Sequence, residues 1–364
     1  MLQRREFVLG SAAAVTGTAG CSGDAGAASY AESVRRTWRP GSRGKGGSPT
    51  LALELVRYAT LAPSSHNTQC WHFRIDEQGI EILPDLARRC PVVDPDDHHL
   101  FVSLGCATEN LLEAALANGL MATPGFDIER NAVSVRLEST RPSVTPRFLA
   151  IPERQCTRGD YDGRPLSADE LGSLRAAGTG DGVRVQLITG RPAMESVLEY
   201  IVEGNTTQLN DPAFVAELKT WIRFGEQEAV RAGDGLFGPA SGNPAIPRWL
   251  GSRIFNLVAS ADRENDKCAR QVRSSAGLAV FVSEREDKAH WIEAGRCYER
   301  FALQATALGI RNAFLNQPVE VPALRRQFAA HLQTADRRPD LLVRFGRGPL
   351  MPRSLRRPVP EVIA

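Results

Sequence analysis

The stretch of this chain best suited to chemistry is residues 62–71, where small hydroxyl and amide side chains are concentrated. Its sequence is Ala-Pro-Ser-Ser-His-Asn-Thr-Gln-Cys-Trp. Hydroxyls and amides on a short loop between rigid elements can offer donors and acceptors to the edge of a flat heteroaromatic ring. Residues 62–71, called the ring loop from here on, are therefore a candidate site for binding such a ring.

Two regular elements are predicted to hold the ring loop. Before it, Ser48 can cap a helix that begins at Pro49, and the apolar residues that follow recur at helical spacing. After it, residues 71–83 have the pattern of a β-hairpin with a turn at residues 76–79. A loop between a capped helix and a hairpin has both of its ends fixed.

Composition excludes several classes of protein. The chain has 364 residues with 44 basic and 42 acidic side chains, a formal charge of +2. This balance gives no electrostatic footprint for nucleic acid. Seven cysteines occur at irregular spacing without a Cys-x-x-Cys pair, so neither a disulfide scaffold nor a zinc-binding motif is indicated.

The N-terminus has the features of an export signal. Residues 4–9, Arg-Arg-Glu-Phe-Val-Leu, resemble a twin-arginine motif, and the apolar run that follows is too short to span a membrane. Residues 18–21 resemble a lipoprotein cleavage box that would place a lipid anchor on Cys21. Ordinary cleavage near Ala27 or Ala28 is the alternative. Residues 1–28 therefore predict a periplasmic protein or a membrane-anchored lipoprotein.

The ring loop resembles the flavin-contacting loop of the nitroreductase family, whose usual form is Pro-Ser-Ser-x-Asn-x-Gln-Pro-Trp. Every position is matched except the second proline, which is Cys70 here. The resemblance implies an FMN cofactor, and it implies that five ring-loop residues contact it. These residues are Pro63, Ser64, Ser65, Asn67 and Gln69.

A second set of residues resembles the family's phosphate-binding motif, Arg-x-Ser-x-Arg/Lys. The resemblance implies that Arg154 pairs with the FMN phosphate, whereas Arg158 lies near the ring edge that becomes negative on reduction. Cys156 replaces the usual hydroxyl and is a weaker donor. Arg356 or Arg357, in a segment similar to the family's C-terminal signature, would complete the phosphate site.

Residues 316–320, Asn-Gln-Pro-Val-Glu, resemble the family segment whose backbone approaches the reactive nitrogen of the flavin. Pro318 and Glu320 are therefore included among the cofactor-binding residues. The flavin carries the chemistry in this family, so the resemblance implies no catalytic side chain.

An acidic and histidine-rich group at residues 94–99 is the weaker candidate for chemistry. Its members are Asp94, Asp96, Asp97, His98 and His99. They precede a predicted helix at residues 100–118, where aspartates cap the helix and acidic groups complement its dipole. Capping is the favoured interpretation over a metal site, and no metal is predicted.

An internal repeat predicts two fused units. A shift of 190 residues, without gaps, superposes residues 97–120 on 287–310 and matches a helix together with the glycine that ends it. Matched pairs include Gly105 with Gly295 and Glu109 with Glu299. We therefore expect an α+β, nitroreductase-like fold in which residues 29–151 and 152–364 form an intramolecular pseudo-dimer.

The remaining pattern supports this architecture. Residues 132–137, 147–151 and 183–189 are predicted strands, and three further strands alternate with helices after residue 277. Residues 225–251 form a Gly- and Pro-rich insertion of a kind that often acts as a lid. The second unit has no Ser-Ser-x-Asn sequence at residues 176–183, so one flavin site per chain is expected.

These observations favour an exported FMN-dependent oxidoreductase that works by ping-pong hydride transfer. NAD(P)H or another donor would reduce the flavin, which would then reduce a planar nitroaromatic or quinone-like acceptor. A non-catalytic protein that binds or sequesters flavin is the alternative, and a structural envelope lipoprotein is a third possibility. The internal pseudo-symmetry predicts a monomer.

Overall fold

The structure is a computed structural model that describes residues 28–41, 49–258, 260–334 and 337–364. The predicted twin-arginine motif, the predicted lipid anchor at Cys21 and the predicted helix cap at Ser48 lie outside the described residues. The helix that Ser48 was expected to cap is present and begins at Pro49.

Two four-stranded antiparallel sheets form the framework of the protein. In the first sheet the strands lie in the order β1-β2-β4-β3, and in the second they lie in the order β5-β8-β10-β9. A short parallel pair, β6-β7, lies outside both sheets. The strands are β1 Trp71–Ile75, β2 Gly79–Pro84, β3 Leu120–Asp127, β4 Ala132–Ser139, β5 Val183–Ile188, β6 Ile222–Arg223, β7 Leu236–Phe237, β8 Gly277–Ser283, β9 Arg311–Phe314 and β10 Pro339–Gly346.

Thirteen helices are assigned within the described residues. They are α1 Tyr30–Thr37, α2 Pro49–Thr60, α3 His98–Ala117, α4 Pro146–Ala150, α5 Ala168–Ala177, α6 Arg191–Leu209, α7 Pro212–Trp221, α8 Glu226–Ala232, α9 Arg248–Val258, α10 Ala261–Arg273, α11 Lys288–Ala307, α12 Gln317–Glu320 and α13 Pro322–His331. The second unit is the larger because five helices, α6 to α10, lie between β5 and β8 of its four-stranded sheet.

The two sheets share one topology. In each sheet the strands lie in the order first, second, fourth, third along the chain, and one 20-residue helix connects the second strand to the third. That helix is α3 in the first unit and α11 in the second. The predicted α+β fold of two similar units with antiparallel sheets is confirmed.

Helices α3 and α11 cross at the centre of the molecule. A Cβ atom on Gly105 would clash with the carbonyl of Ile292, and a Cβ atom on Gly295 would clash with the carbonyl of Val102. The two clashes are equivalent because the 190-residue shift converts one into the other. The 190-residue repeat therefore corresponds to a pseudo-two-fold axis that passes through the crossing of α3 and α11.

The core is shared between the units. One hydrophobic cluster includes Leu104 and Ala107 of α3 together with Ala294 and Phe301 of α11, all fully buried. Among the described residues, α3 is the only helix long and apolar enough to cross a membrane, but 89% of its apolar window is buried inside the protein.

The C-terminal end of the second unit crosses to the first sheet. The C-terminal residues pair with β1, where Phe73 N–H donates to Val362 at 2.7 Å and Ala364 N–H donates to Phe73 at 2.9 Å. This crossing carries the C-terminal arginines to the ring loop.

One predicted strand is wrong. Residues 147–151 lie largely in the short helix α4 because Thr145 caps it by accepting from Phe148 N–H and Pro146 occupies its first position. Five further helices were not predicted, namely α1, α8, α9, α10 and α12. The helix α10 is strongly polar, and α8 lies within the Gly- and Pro-rich insertion, so neither carries a clear apolar repeat.

Candidate functional site

The ring loop has an unusual backbone. Residues Ser65–Asn67 form a single 3-10 turn, and His66, Asn67 and Gln69 all have φ between 47° and 54°. Left-handed backbone is uncommon for residues other than glycine, and such strain concentrates at functional sites. The hydroxyl of Ser64 stabilises the loop by accepting from Gln69 N–H at 2.8 Å.

A cleft joins the ring loop to the second unit. Four of the residues that line it belong to the second unit and were assigned to FMN by the family resemblance. They are Arg154, Cys156, Arg158 and Arg356. From the ring loop it is lined by Pro63, Ser64 and Asn67. The tertiary fold thus brings together residues that are up to about 290 positions apart in the sequence. Ser65 does not line the cleft, and its backbone N–H donates to the Ser103 hydroxyl on α3 at 3.4 Å.

The arginines of this cleft differ in their partners. Arg154 is 2% exposed, lies 3.1 Å from the Glu299 carboxylate and donates to the Leu61 carbonyl at 3.0 Å. Its Nη1 makes no hydrogen bond to a described residue. Arg158 is half-buried, and its guanidinium makes no hydrogen bond or ion pair with any residue that the structure describes. Arg158 is therefore the cation best placed to accept an anionic ligand.

Glu299 supplies the counter-charge for Arg154. Both side chains are fully buried, and burial raises the pKa of the Glu299 carboxyl to about 7 even though Arg154 opposes this shift. Glu299 corresponds to Glu109 in the repeat, where the equivalent carboxylate pairs instead with Arg296 at 3.2 Å and Arg300 at 3.0 Å. Both units thus contain this buried glutamate. Of the two glutamates, Glu299 is the one whose arginine partner, Arg154, lines the cleft.

Arg356 lines the cleft and also makes several contacts within the protein. Its guanidinium donates to the carbonyls of Thr60, Leu61 and Ala62 at 2.9–3.1 Å. These carbonyls end α2 and begin the ring loop, so Arg356 positions the loop and has few donors left for a ligand. Burial and the nearby Arg154 cation lower the pKa of Arg356 to about 9.

Asn67 and Gln69 are also engaged within the protein. Asn67 Nδ2 donates to the carbonyls of Gly235 and Leu355, and Gln69 Nε2 donates to that of Gly233. Gln69 Oε1 accepts from Arg357 N–H at 2.8 Å. The amide nitrogens of both side chains therefore bind backbone of the insertion and the C-terminal segment in this structure, and Asn67 lines the cleft as well.

Arg357, Pro318 and Glu320 do not line this cleft. The Arg357 side chain donates to the Glu361 carbonyl at 2.7 Å and lies near Asp85. Pro318 is buried in α12, and Glu320 accepts from Gln208 at 2.7 Å on the wall of a separate cavity. The family resemblance assigned all three residues to the cofactor, but in this structure they lie outside the cleft.

The insertion at residues 225–251 covers part of the cleft. Leu236 and Ala240 line it, and Asp234 accepts from Arg223 at 2.6 and 3.0 Å and pairs with Arg88 of the first unit. With this segment in place the cleft has a volume of about 60 Å³. Ligand pockets usually measure about 300–1,000 Å³, so the covered cleft is narrow.

Sequence reasoning missed several residues that line the cleft, among them Trp38 and Arg353. The Trp38 ring lies beneath the guanidinium carbons of Arg353 and Arg356 at 4.7 and 4.9 Å, and its Nε1 donates to Ser354. Trp38 lies in the sequence Arg-Arg-Thr-Trp-Arg at residues 35–39. Arg39 of this segment pairs with Glu54 at 3.0 Å.

The fold and the cleft together define a class of protein. It is an α+β protein of two similar units, with a basic cleft between a strained loop of one unit and arginines of the other. This arrangement is the one implied by the resemblance to the nitroreductase family, and comparison with known proteins bears on it directly.

No family model matches the chain. It is similar to "Putative NAD(P)H nitroreductase Rv3131" of Mycobacterium tuberculosis, with 24% identity over 322 residues that cover 85% of this chain and 90% of the relative. It is also similar to "Putative NAD(P)H nitroreductase acg" of the same organism, with 23% identity over 339 residues that cover 84% and 93%. The predicted resemblance to the internally duplicated nitroreductases is confirmed.

Solved structures similar to this chain include the FMN-dependent nitroreductase NfnB from Mycobacterium smegmatis in complex with NADPH. It is 14% identical, has a TM-score of 0.36, and the match covers 56% of this chain and 87% of that chain. A nitroreductase with bound FMN from Desulfitobacterium hafniense is 14% identical, with a TM-score of 0.36 and coverage of 59% and 94%.

Proposed function

We propose that this protein is an FMN-dependent oxidoreductase that takes electrons from NAD(P)H and passes them to a planar nitroaromatic or quinone-like acceptor. The observation that carries the proposal is the meeting of the strained ring loop with Arg158, a half-buried cation that no described residue neutralises. The relatives named as NAD(P)H nitroreductases support the same class of reaction.

The residues of the cleft fit FMN at its anionic end. Arg158 and the unbonded Nη1 of Arg154 would hold the phosphate or the electron-rich edge of the ring. Pro63 and Ser64 would contact the ring, which when bound would supply hydride transfer between donor and acceptor. Arg356 would act indirectly because it fixes the carbonyls at the start of the ring loop.

A non-catalytic protein that binds or sequesters flavin is the second candidate. The observation that favours it is the cover formed by residues 225–251, which narrows the cleft and occupies the amides of Asn67 and Gln69. A bound flavin under such a cover would be closed to a nicotinamide or an acceptor. The two candidates therefore differ in access to the ring and agree on the cofactor.

The visible spectrum of the purified protein tests both candidates. An enzyme should bind FMN and lose its absorbance near 450 nm on anaerobic addition of NADPH or NADH, and the absorbance should return on addition of a quinone. A bound flavin that stays oxidised would favour the sequestering protein. A colourless protein that does not take up added FMN would overturn both candidates.

We also propose that the chain is exported by the twin-arginine route and works as a periplasmic or lipid-anchored monomer. The sequence of residues 4–9 and the box ending at Cys21 support export. Cell fractionation of a variant with Arg4→Lys and Arg5→Lys tests it, because the variant should accumulate in the cytoplasm. Unchanged export of that variant would contradict the proposal.

A further inference from the structure

A second cavity lies apart from the cleft, between the loop before α3 and the helices α12 and α13. It measures about 300 Å³, and its polar lining includes Asp94, Asp96, His99, Glu320 and Arg325. None of these side chains was needed to explain the cleft. The cavity is large enough for an ion together with several water molecules or a small ligand.

His98, beside this cavity, is arranged as a metal ligand would be. Its Nε2 lies 2.9 Å from Asp340 Oδ1, and Asp340 Oδ2 in turn accepts from Ser283 N–H at 2.7 Å. If the Nε2 proton is donated to Asp340, the other ring nitrogen carries a lone pair. That Nδ1 atom is buried and makes no hydrogen bond to a described residue. A carboxylate behind a histidine is the usual support of a metal ligand.

His99 faces two carboxylates without hydrogen bonding to either. Its Nδ1 lies 4.0 Å from Asp94 Oδ1 and 3.9 Å from Glu320 Oε1, which is beyond hydrogen-bonding distance. The His99 side chain is 7% exposed. Its Nε2 is buried and makes no hydrogen bond to a described residue by distance and angle.

The ligand atoms converge. One atom each of Asp94, His98 and His99 lies within 4.8 Å of the other two. Atoms that bind one ion at about 2.1 Å lie roughly 3–4 Å apart, so modest movement of the side chains would bring them onto a shared ion. Asp94 also caps α3, its two carboxylate oxygens accepting from His99 and Leu100 N–H, and it lines the cavity.

The charge around the cavity favours a cation. Three acidic side chains line the cavity, namely Asp94, Asp96 and Glu320. Two more are close to it, since Asp340 pairs with His98 and Glu286 pairs with Arg338. The positive groups of the lining are two arginines, and Arg338 is neutralised by Asp96 at 2.7 Å and Glu286 at 2.5 Å. Arg325 alone does not offset the remaining carboxylates.

The internal repeat shows that helix formation does not require this cluster. A shift of 190 residues places Lys288 at the position of His98 and Ala289 at that of His99, and α11 begins normally after Asp287. The capping interpretation therefore explains Asp94, but it leaves the two histidines and Glu320 unexplained.

We propose that Asp94, His98 and His99 bind one divalent transition-metal ion, with the Glu320 carboxylate as an additional ligand and an open position facing the cavity. Two imidazoles with carboxylates suit Fe²⁺, Mn²⁺, Co²⁺ or Zn²⁺ better than Mg²⁺ or Ca²⁺, which prefer oxygen ligands. Asp340 is a positioning residue because it holds the ring of His98. The site is independent of flavin binding.

Cobalt is a suitable probe because its visible bands lie beyond the absorbance of oxidised flavin. The full chain is treated with a chelator, desalted, and titrated with Co²⁺ while absorbance is followed between 500 and 650 nm; equilibrium dialysis with Zn²⁺ gives the stoichiometry. One ion per chain is expected. His99→Gln should weaken binding at least tenfold, and Asp340→Asn should weaken it roughly 10–100-fold, as second-sphere changes do.

His290→Gln is the matched control, because His290 also pairs with an aspartate, Asp287, at the start of a long helix. It should bind Co²⁺ as the unaltered chain does. Circular dichroism melts confirm that each variant folds. The proposal is overturned if the unaltered chain gives no cobalt bands and binds none of Co²⁺, Zn²⁺, Mn²⁺ or Fe²⁺ in dialysis, or if the control loses binding as His99→Gln does.

Discussion

At the scale of single residues, the arginines of the cleft separate by what they contact. Arg356 donates to the backbone at the end of α2, and Arg154 is paired with Glu299. Arg158 has no such partner among the described residues. A cation in this state gains most from an anionic ligand and contributes little to the stability of the protein without one.

Arg158→Ala should therefore weaken FMN binding without lowering the melting temperature. Loss of a charge-assisted contact worth about 1.5–3 kcal/mol corresponds to a roughly 10–100-fold higher Kd. Quenching of FMN fluorescence measures the affinity. Arg164→Ala is the control, since that side chain is 82% exposed and 3.9 Å from its nearest partner, Asp162. Equal loss of affinity in both variants would contradict the assignment.

The buried pair of Arg154 and Glu299 predicts a dependence of stability on pH. The pKa of Glu299 is raised from 4.5 to about 7 in the folded chain, so its contribution is fully present below pH 4.5 and is lost as the pH rises through 7. Because glutamine mimics the protonated carboxyl, Glu299→Gln should leave the free energy of unfolding nearly unchanged at pH 5 and raise it above that of the unaltered chain at pH 8.

The same variant should also flatten the decline in unfolding free energy between pH 5 and pH 8. Urea denaturation at several pH values measures the slope. Glu129→Gln, at an exposed position, is the control and should leave both the stability and the slope unchanged. An unaltered slope in Glu299→Gln would show that another group titrates in this range.

At the scale of secondary structure, the crossing of α3 and α11 fixes how the two units meet. Gly105→Ala should destabilise the protein strongly, by about 2 kcal/mol or more, because a Cβ atom would overlap the backbone of Ile292 in a packed interface. Gly172→Ala in α5 is the matched control. No atom lies within 4 Å of its added Cβ, so alanine should stabilise by about 0.5–1 kcal/mol.

Thermal melts of these two variants should move in opposite directions. If Gly105→Ala melts like the unaltered protein, the helices must be able to separate without cost, and the close crossing would not be what holds the units together.

The insertion is the second element with a testable role. Asp234 joins Arg223 of the second unit to Arg88 of the first and thereby fixes the segment over the cleft. Asp234→Ala would leave two arginines close together without their shared acid. We expect the segment to loosen and FMN to associate several-fold faster in stopped-flow measurements.

Glu195→Ala is the control for this variant because it removes a surface pair with Arg273 whose members are 45% and 62% exposed. It should leave the association rate unchanged. A slower rate in Asp234→Ala would indicate that the segment belongs to the binding surface and does not act as a cover.

At the scale of the whole molecule, the fused units supply the interface that two separate chains would otherwise form. The hydrophobic core runs through both units, and the C-terminal residues of the second unit pair with β1 of the first. Light scattering after size exclusion should therefore give the mass of one chain, near 39.6 kDa, at all concentrations. A concentration-dependent dimer would show that an additional interface exists.

Much of the fold could be predicted from the sequence. The hairpin after the ring loop and the helix pair related by 190 residues were both predicted from sequence patterns that the structure preserves. The strand predicted at residues 147–151 failed because a short apolar run does not distinguish a strand from one turn of helix. The threonine–proline cap decided that case.

The candidate site divides in the same way. Local sequence determined that a loop rich in hydroxyl and amide side chains lies between a helix and a hairpin, because turn chemistry and periodicity depend on residue type and spacing. Only the tertiary structure decided that Glu299 pairs with Arg154 and that Arg356 donates to the backbone at the start of the ring loop. It also decided that the carbonyls of Gly235 and Gly233 accept from Asn67 and Gln69. These outcomes depend on side-chain direction and on contacts between distant segments, which spacing along the chain does not encode.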